Sequence, residues 1–365
     1  MADSAQRGAG KGPPDRPFGW AELLMRLAGL LLGLLAFVVA LDLLKRGAFA
    51  YGKQAFGLFH VSTPAAALGL GWLLAYLFLS GSPVAALAVS LFAAGTLDAP
   101  ETLMMITGSR LGAALVVLVT GLIYWARGHH SRDGVAIGVL ALLTTAVIYL
   151  PAMLLAYWLV AAGHVPIPAM SAAGPLASLL DPLVDPVAGL ISALLPAWAL
   201  IVAGVAVLLG AFTLFDRALP AIHHESPALR RAGRFARSPL AMFLLGAAVT
   251  SVTLSVSVSV SALVPLAARG IVRRERAVPY IMGANITTFI DTLVAALIAA
   301  GPAAFAIVLV EMVAVTAVSL AALLFAYHRL ERLLLHLQEG IMADWRATVV
   351  FVAVLVCVPL GLLAL

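Results

Sequence analysis

Long apolar runs separated by short polar connectors fill the chain from residue 22 to its end. The runs over 22–43, 103–125, 134–161, 189–214, 278–300, 303–327 and 347–365 each approach or exceed the ~20 residues with which an α-helix crosses a bilayer. Two more apolar stretches, 64–95 and 240–268, are long for one helix and carry serines near their middles, with Gly81 and Pro83 in the first. Each predicts a helical hairpin that enters and leaves the membrane on one side. Within the second, residues 250–261 read TSVTLSVSVSVS. This alternation looks strand-like, but a lone strand in lipid would leave its backbone groups unpaired. On a helix a step of two residues turns ~200°, so the hydroxyls spread over two opposite faces. Such a helix is buried in a bundle or lines an aqueous path; alternatively each hydroxyl bonds its own backbone and merely packs.

The pattern recurs. A shift of 175 positions (71 to 246, 118 to 293) lays residues 71–118 on 246–293 without a gap. Gly71 falls on Gly246, Leu79-Ser80 on Leu254-Ser255, Ser82 on Ser257, Gly95 on Gly270 and Gly108 on Gly283. Polar, glycine-punctuated segments at matching places in two halves of an apolar chain point to a transporter whose site lies between repeats.

Basic residues set the orientation. Arg217, Arg230, Arg231, Arg234 and Arg237 lie before the stretch 240–268, and Arg269, Arg273, Arg274 and Arg276 after it. Both groups belong on the cytoplasmic side, so the stretch between them must return to the side it left. Arg127 and Arg132 place 126–133 inside as well, whereas 162–188 lacks Lys and Arg and is rich in Pro. The reading is an all-α polytopic membrane protein with two inverted-topology repeats, each holding a re-entrant helical hairpin and a broken transmembrane helix. Its parts are a disordered polar tail (1–19), a first repeat (20–161, hairpin 64–95), an extracellular loop (162–188), a second repeat (189–338, hairpin 240–268) and an extra transmembrane helix (339–365). The N-terminus is then cytoplasmic and the C-terminus outside. Lys45, Arg46 and Lys53 oppose this orientation, since they fall on the outer side.

Composition narrows the class. The chain is 63% hydrophobic and 11% charged, which excludes a soluble enzyme, and no nucleophile–base pair suggests catalysis in the membrane. The net charge of +5 sits beside the spans, where it orients the protein rather than binding nucleic acid. The single cysteine, Cys357, allows neither an intrachain disulfide nor a Cys-rich metal site. His129-His130 and His223-His224 fall in connectors and make no metal motif. The first apolar run is too long for a secretory signal and has no small-residue cleavage site.

Polar residues at membrane depth are functional hypotheses by default. One group is Met282 to Thr288, followed by Asp291 and Thr292. Gly283 permits a break, and a broken helix offers free N–H groups to an anion and free C=O groups to a cation. Thr287 and Thr288 add hydroxyl oxygens of the kind that sodium accepts. A plain alternative is a Gly-kinked helix capped by Asn285. The counterpart is Gly108-Ser109-Arg110-Leu111-Gly112. An intramembrane Arg110 pairs with Asp291 of the other half, holds an anion through its planar fork, or snorkels to the surface. Glu311 is a weaker candidate for a proton or cation site, or makes an interhelical hydrogen bond.

With these residues the chain resembles the type II sodium–phosphate cotransporter family, as a divergent bacterial-type member. That family has two inverted repeats, each with a Gln-Ser-Ser-Ser hairpin motif and a later Gly-[Ser/Ala]-Asn-Ile-Gly-Thr-Thr motif. Leu254-Ser255-Val256-Ser257 and Gly283-Ala284-Asn285-Ile286-Thr287-Thr288 occupy those places in the second half. Leu79-Ser80-Gly81-Ser82 and Gly108-Ser109-Arg110-Leu111-Gly112-Ala113 occupy them in the first. Leu79 and Leu254 replace the motif Gln, Arg110 replaces the first Asn, and Ala113-Ala114 replace the hydroxyls that would follow. The resemblance implies transport of inorganic phosphate or a similar small oxyanion across the plasma membrane, coupled to sodium, with no other cofactor. It implies substrate contacts from Ser80, Ser82, Ser109, Arg110, Ser255 and Ser257. Sodium would be held by Thr253, Asn285, Thr287, Thr288 and Asp291. The departures keep open a sodium-independent or proton-linked anion transporter or exporter, and a degenerate non-transporting protein of the same fold. A homodimer in the bilayer is also left open.

Overall fold

The structure, a computed structural model, describes residues 20–58, 63–127, 132–168, 175–218 and 238–365. The expected tail 1–19, both His pairs and Arg230, Arg231, Arg234 and Arg237 lie outside them. All regular elements among the described residues are helical. Seven stretches are long and apolar enough to cross a membrane: Leu24–Ala50, Ala99–Ala126, Arg132–Ala161, Ala197–Ala218, Arg274–Ala299, Gly301–Ala343 and Trp345–Leu363. They coincide with the seven apolar runs of the sequence.

The first half comprises α1 (Trp20–Leu58), α2 (Pro64–Phe78), α3 (Ser82–Ala93), α4 (Ala99–Ala113), α5 (Leu115–Ala126) and α6 (Arg132–Ala161). Next come α7 (Pro175–Leu194) and α8 (Ala197–Ala218). The second half comprises α9 (Pro239–Thr253), α10 (Val256–Ser261), α11 (Leu263–Ala268), α12 (Arg274–Thr287), α13 (Phe289–Ala299) and α14 (Gly301–Ala321). A π-turn (Ala322–Ala326), α15 (Tyr327–Ala343) and α16 (Trp345–Leu363) close the chain. The core runs through α4, α6, α12 and α14, while α16 is mostly exposed.

Local chemistry explains the boundaries. Thr63 starts α2 by accepting the Ala66 N–H at 3.1 Å, and Ser238 starts α9 by accepting that of Ala241 at 3.2 Å. In both cases proline follows, where its missing N–H has no helical partner to lose. Leu79 (φ 49°) and Leu254 (φ 51°) end these helices in the left-handed region, which costs a residue with a Cβ about 1–2 kcal/mol. Gly95 (φ 70°) and Gly270 (φ 69°) turn the chain after α3 and α11. Asp98 and Glu101 cap α4 reciprocally, at 2.8 and 2.9 Å. Each paired feature is separated by the 175-residue shift read from the sequence (79 to 254, 95 to 270).

Two backbone seams hold these helices together. A Cβ at Gly71 would run into the Met105 carbonyl oxygen, and one at Gly108 into that of Leu68. Gly246 meets Tyr280 and Gly283 meets Phe243 in the same way. So α2 lies on α4, and α9 on α12, at a separation that only glycine permits. Gly283 therefore serves close packing; the interruption of this helix falls at Thr288, the last residue of the Met282–Thr288 group, and that of the first half at Ala114, two residues beyond Gly112. The segment TSVTLSVSVSVS is likewise not one helix, because Leu254 and Ser255 split it between α9 and α10.

The segment expected as a loop over 162–188 contains most of α7. Pro182 and Pro186 lie inside this helix, which packs on α1, α8 and α13; packing of this kind offsets the single N–H bond that each proline removes. α7 also gives Arg46 a partner: its guanidinium reaches Asp42 and Asp185, each at 2.7 Å.

Candidate functional site

The breaks after α2 and α9 meet. Ser80 and Ser82 from the first, and Thr253 and Ser255 from the second, line one cavity of about 290 Å³. Its opposite wall is Leu30, Leu34 and Phe37 of α1 with Phe212 and Phe215 of α8. Phe37 and Phe212 meet edge to face, with centroids 5.7 Å apart, a favoured aromatic geometry. An adjoining cavity of about 370 Å³ shares Ser80, Ser255 and Phe212 and adds Ser257, Ser261 and Thr120. Several hydroxyls are already used locally. Ser255 caps α10 by accepting the Val258 N–H at 3.3 Å, and Thr253 donates to Val249 O at 3.1 Å. Ser257 lies 3.5 Å from Ala113 O, and Ser261 donates to Thr120 at 3.3 Å.

Arg110 is not part of the cavity lining but contacts Asp291, which is; it is 3% exposed, so it does not snorkel. One guanidinium nitrogen is 3.5 Å from Asp291 and bonds Thr292, and the other donates to Thr288 at 3.2 Å. Thr292 in turn donates to Asp291 at 2.9 Å. The Phe289 ring lies 5.0 Å from the guanidinium carbon, close enough for a cation–π contact. α4 of one half and α13 of the other are thereby joined through charge. The Arg110 Nε and Asp291 Oδ2 atoms have no hydrogen-bond partner. Asp291 reaches the cavity wall, and the one other charged residue in the lining is Asp216. With Arg110 held by Asp291, the charged side chains that line the cavity both end in carboxyl groups.

Other residues singled out in the sequence sit apart from the cavity. Ser109 donates to Ile106 O at 2.7 Å within its own helix. Thr287 donates to Ala247 O at 2.9 Å, tying α12 to α9. Asn285 donates to Thr145 at 3.1 Å, and its carbonyl accepts from Tyr149 at 2.9 Å. The sequence reading missed the wall of Leu30, Leu34 and Phe37, although their spacing of four and three residues marks one helix face. It also missed Asp216, which borders a basic connector and looked like part of it.

Seven membrane-length helices among the described residues, with a cavity lined by two helix breaks and their hydroxyls, define a multi-pass membrane protein of the transporter class. Residues 207–338, about a third of the chain, match the family model described as Na+/Pi-cotransporter. No curated protein and no solved structure matches the chain. The matched stretch holds the break at Leu254–Ser255 and Asp291, and Arg110 lies before it.

Proposed function

We propose that the protein is a secondary transporter that couples movement of inorganic phosphate, or a similar small oxyanion, across the plasma membrane to sodium. The observation that carries this reading is the meeting of the two breaks, Ser80–Ser82 and Thr253–Ser255, in one cavity that Asp291, the partner of Arg110, also lines. The recurrence of helix caps, left-handed leucines and glycine seams at a 175-residue shift supports two repeats. Inverted topology, with both breaks as tips of re-entrant hairpins, is the arrangement that brings such tips together near a bilayer midplane.

The geometry suggests an order of events. Sodium enters first, because Asp291 and Asp216 are the charged groups at the wall. Bound at Asp291 with the Thr253 hydroxyl and neighbouring carbonyls, it competes with Arg110 for the carboxylate. The released guanidinium then pairs with the oxyanion, which Ser80, Ser82 and Ser255 meet as hydrogen-bond donors. Charge-assisted, bidentate contacts of this kind are the strongest available to an oxyanion. The test is uptake of radiolabelled phosphate into proteoliposomes with and without an inward sodium gradient. Sodium should stimulate uptake in the wild type and fail to do so in Asp291→Asn. Sodium stimulation that survives intact in Asp291→Asn would sink the assigned order, and no uptake in either condition would sink the phosphate reading.

A further inference from the structure

Among the described residues the buried core contains one guanidinium, Arg110, and two carboxyl groups, those of Asp291 and Glu311. Arg110 is matched by Asp291. The second carboxyl belongs to Glu311 of α14, which is 1% exposed. Its Oε1 lies 2.6 Å from the Thr107 hydroxyl, and its Oε2 has no hydrogen-bond partner. Thr107 precedes Arg110 by three residues on α4, so both point to the same face.

Thr107 reveals where the proton sits. Its Oγ1 is also 3.1 Å from the Leu103 carbonyl oxygen. A hydroxyl carries one proton and can serve one of these two acceptors, while its lone pairs can accept another bond. An ionised Glu311 would compete with Leu103 for that proton. A protonated Glu311 satisfies both contacts in series: Glu311 Oε1–H donates to Thr107, and Thr107 O–H donates to Leu103 O. Charge leads to the same result. Ionised Glu311 would be a second carboxylate beside a single, already paired cation, and an uncompensated buried charge costs several kcal/mol. The titratable groups near it from the packed helices are Arg110 on α4, Asp291 on α13 and Tyr149 on α6, whose hydroxyl is bonded to Asn285. α3 and the π-turn contribute no titratable side chain, and α12, which also packs on α14, carries Arg274, Glu275, Arg276 and Tyr280, of which Arg274 is bonded to Asp133 and Tyr280 to Ser259.

We propose that Glu311 is a proton-binding site of this protein and that the proton it holds is carried in the transport cycle. The second half of this statement rests on the transporter reading above; the first does not. Release transfers the proton from Oε1 to water admitted when the Arg110–Asp291 pair opens, leaving the Glu311 carboxylate beside the freed guanidinium. Rebinding reverses the step.

Infrared difference spectra between the purified full-length wild type and Glu311→Gln at neutral pH test the site. The wild type should show the carbonyl band of a protonated carboxyl group, and Glu311→Gln should lack it. Thr107→Val should shift that band by removing its hydrogen-bond partner. A wild-type spectrum with only carboxylate bands overturns the proposal. Uptake of radiolabelled phosphate into proteoliposomes, at fixed sodium with and without an inward proton gradient, tests the cycle. The gradient should stimulate the wild type, and Glu311→Gln should lose that stimulation, whatever its uptake without the gradient. Stimulation that persists in Glu311→Gln overturns the transport role. If the wild type takes up no phosphate, the phosphate reading fails, while the infrared band still decides the proton site.

Discussion

Arg110 illustrates what a buried charge requires at the scale of one residue. Its pairing with Asp291 was one of the alternatives that the sequence allowed, because a guanidinium at membrane depth needs a partner. The shell of Thr288, Thr292 and Phe289 was not legible, since it depends on how α4 meets α13 in space. The same is true in reverse of Ser109, Asn285 and Thr287. In the sequence they look like Ser80 and Ser255, but their helix faces aim them at Ile106, Thr145 and Ala247. Replacing Arg110 by Met should cost about 3–5 kcal/mol, because it leaves Asp291 ionised and buried without its cation. Combining Arg110→Met with Asp291→Asn should recover much of that loss. Thermal unfolding in detergent measures both; a double variant no more stable than Arg110→Met would show that the ion pair is not what sets stability here.

At the scale of elements, the serines near the middles of 64–95 and 240–268 marked a helix break in each stretch, but the residues that make the breaks are Leu79 and Leu254. Leucine gives no sequence signal for a left-handed backbone, so the position of each stop was hidden. The glycines at 108 and 283 were visible as a repeated pair, and Gly283 was read as permitting a break, because close backbone approach and helix flexibility demand the same residue type. Substitution separates the two. Gly283→Ala pushes a methyl group into Phe243 O and should destabilise by about 1–3 kcal/mol or more. Gly340→Ala, inside α15 with nothing near the added carbon, should stabilise by roughly 0.5–1 kcal/mol through backbone entropy. Thermal unfolding of the two variants beside the wild type reads both signs, and a neutral Gly283→Ala would rule out the seam.

For the molecule as a whole, the seven spans were legible because crossing a bilayer imposes one length and one composition. α7 was not, since Pro182 and Pro186 argue for a loop until neighbours are present to support the helix. Sidedness can be tested at the two equivalent turns. In a Cys357→Ser background, Thr96→Cys and Ile271→Cys (96 to 271, the same shift of 175) place one thiol after each hairpin. A membrane-impermeant maleimide should label Thr96→Cys from outside the cell and Ile271→Cys only from the cytoplasmic face. Labelling of both from one side would refute inverted topology.

The glycine seams also determine where this molecule can shear. Where backbone lies on backbone there are no rotamers to exchange, so α2 with α4, and α9 with α12, behave as stiff girders. The cavity is bounded instead by the rings and branched chains of Phe37, Phe212, Phe215, Leu30 and Leu34, which can re-pack at little cost. Rocking of the girders would be relieved at the cavity, which puts the slip plane through the compartment proposed for the cargo.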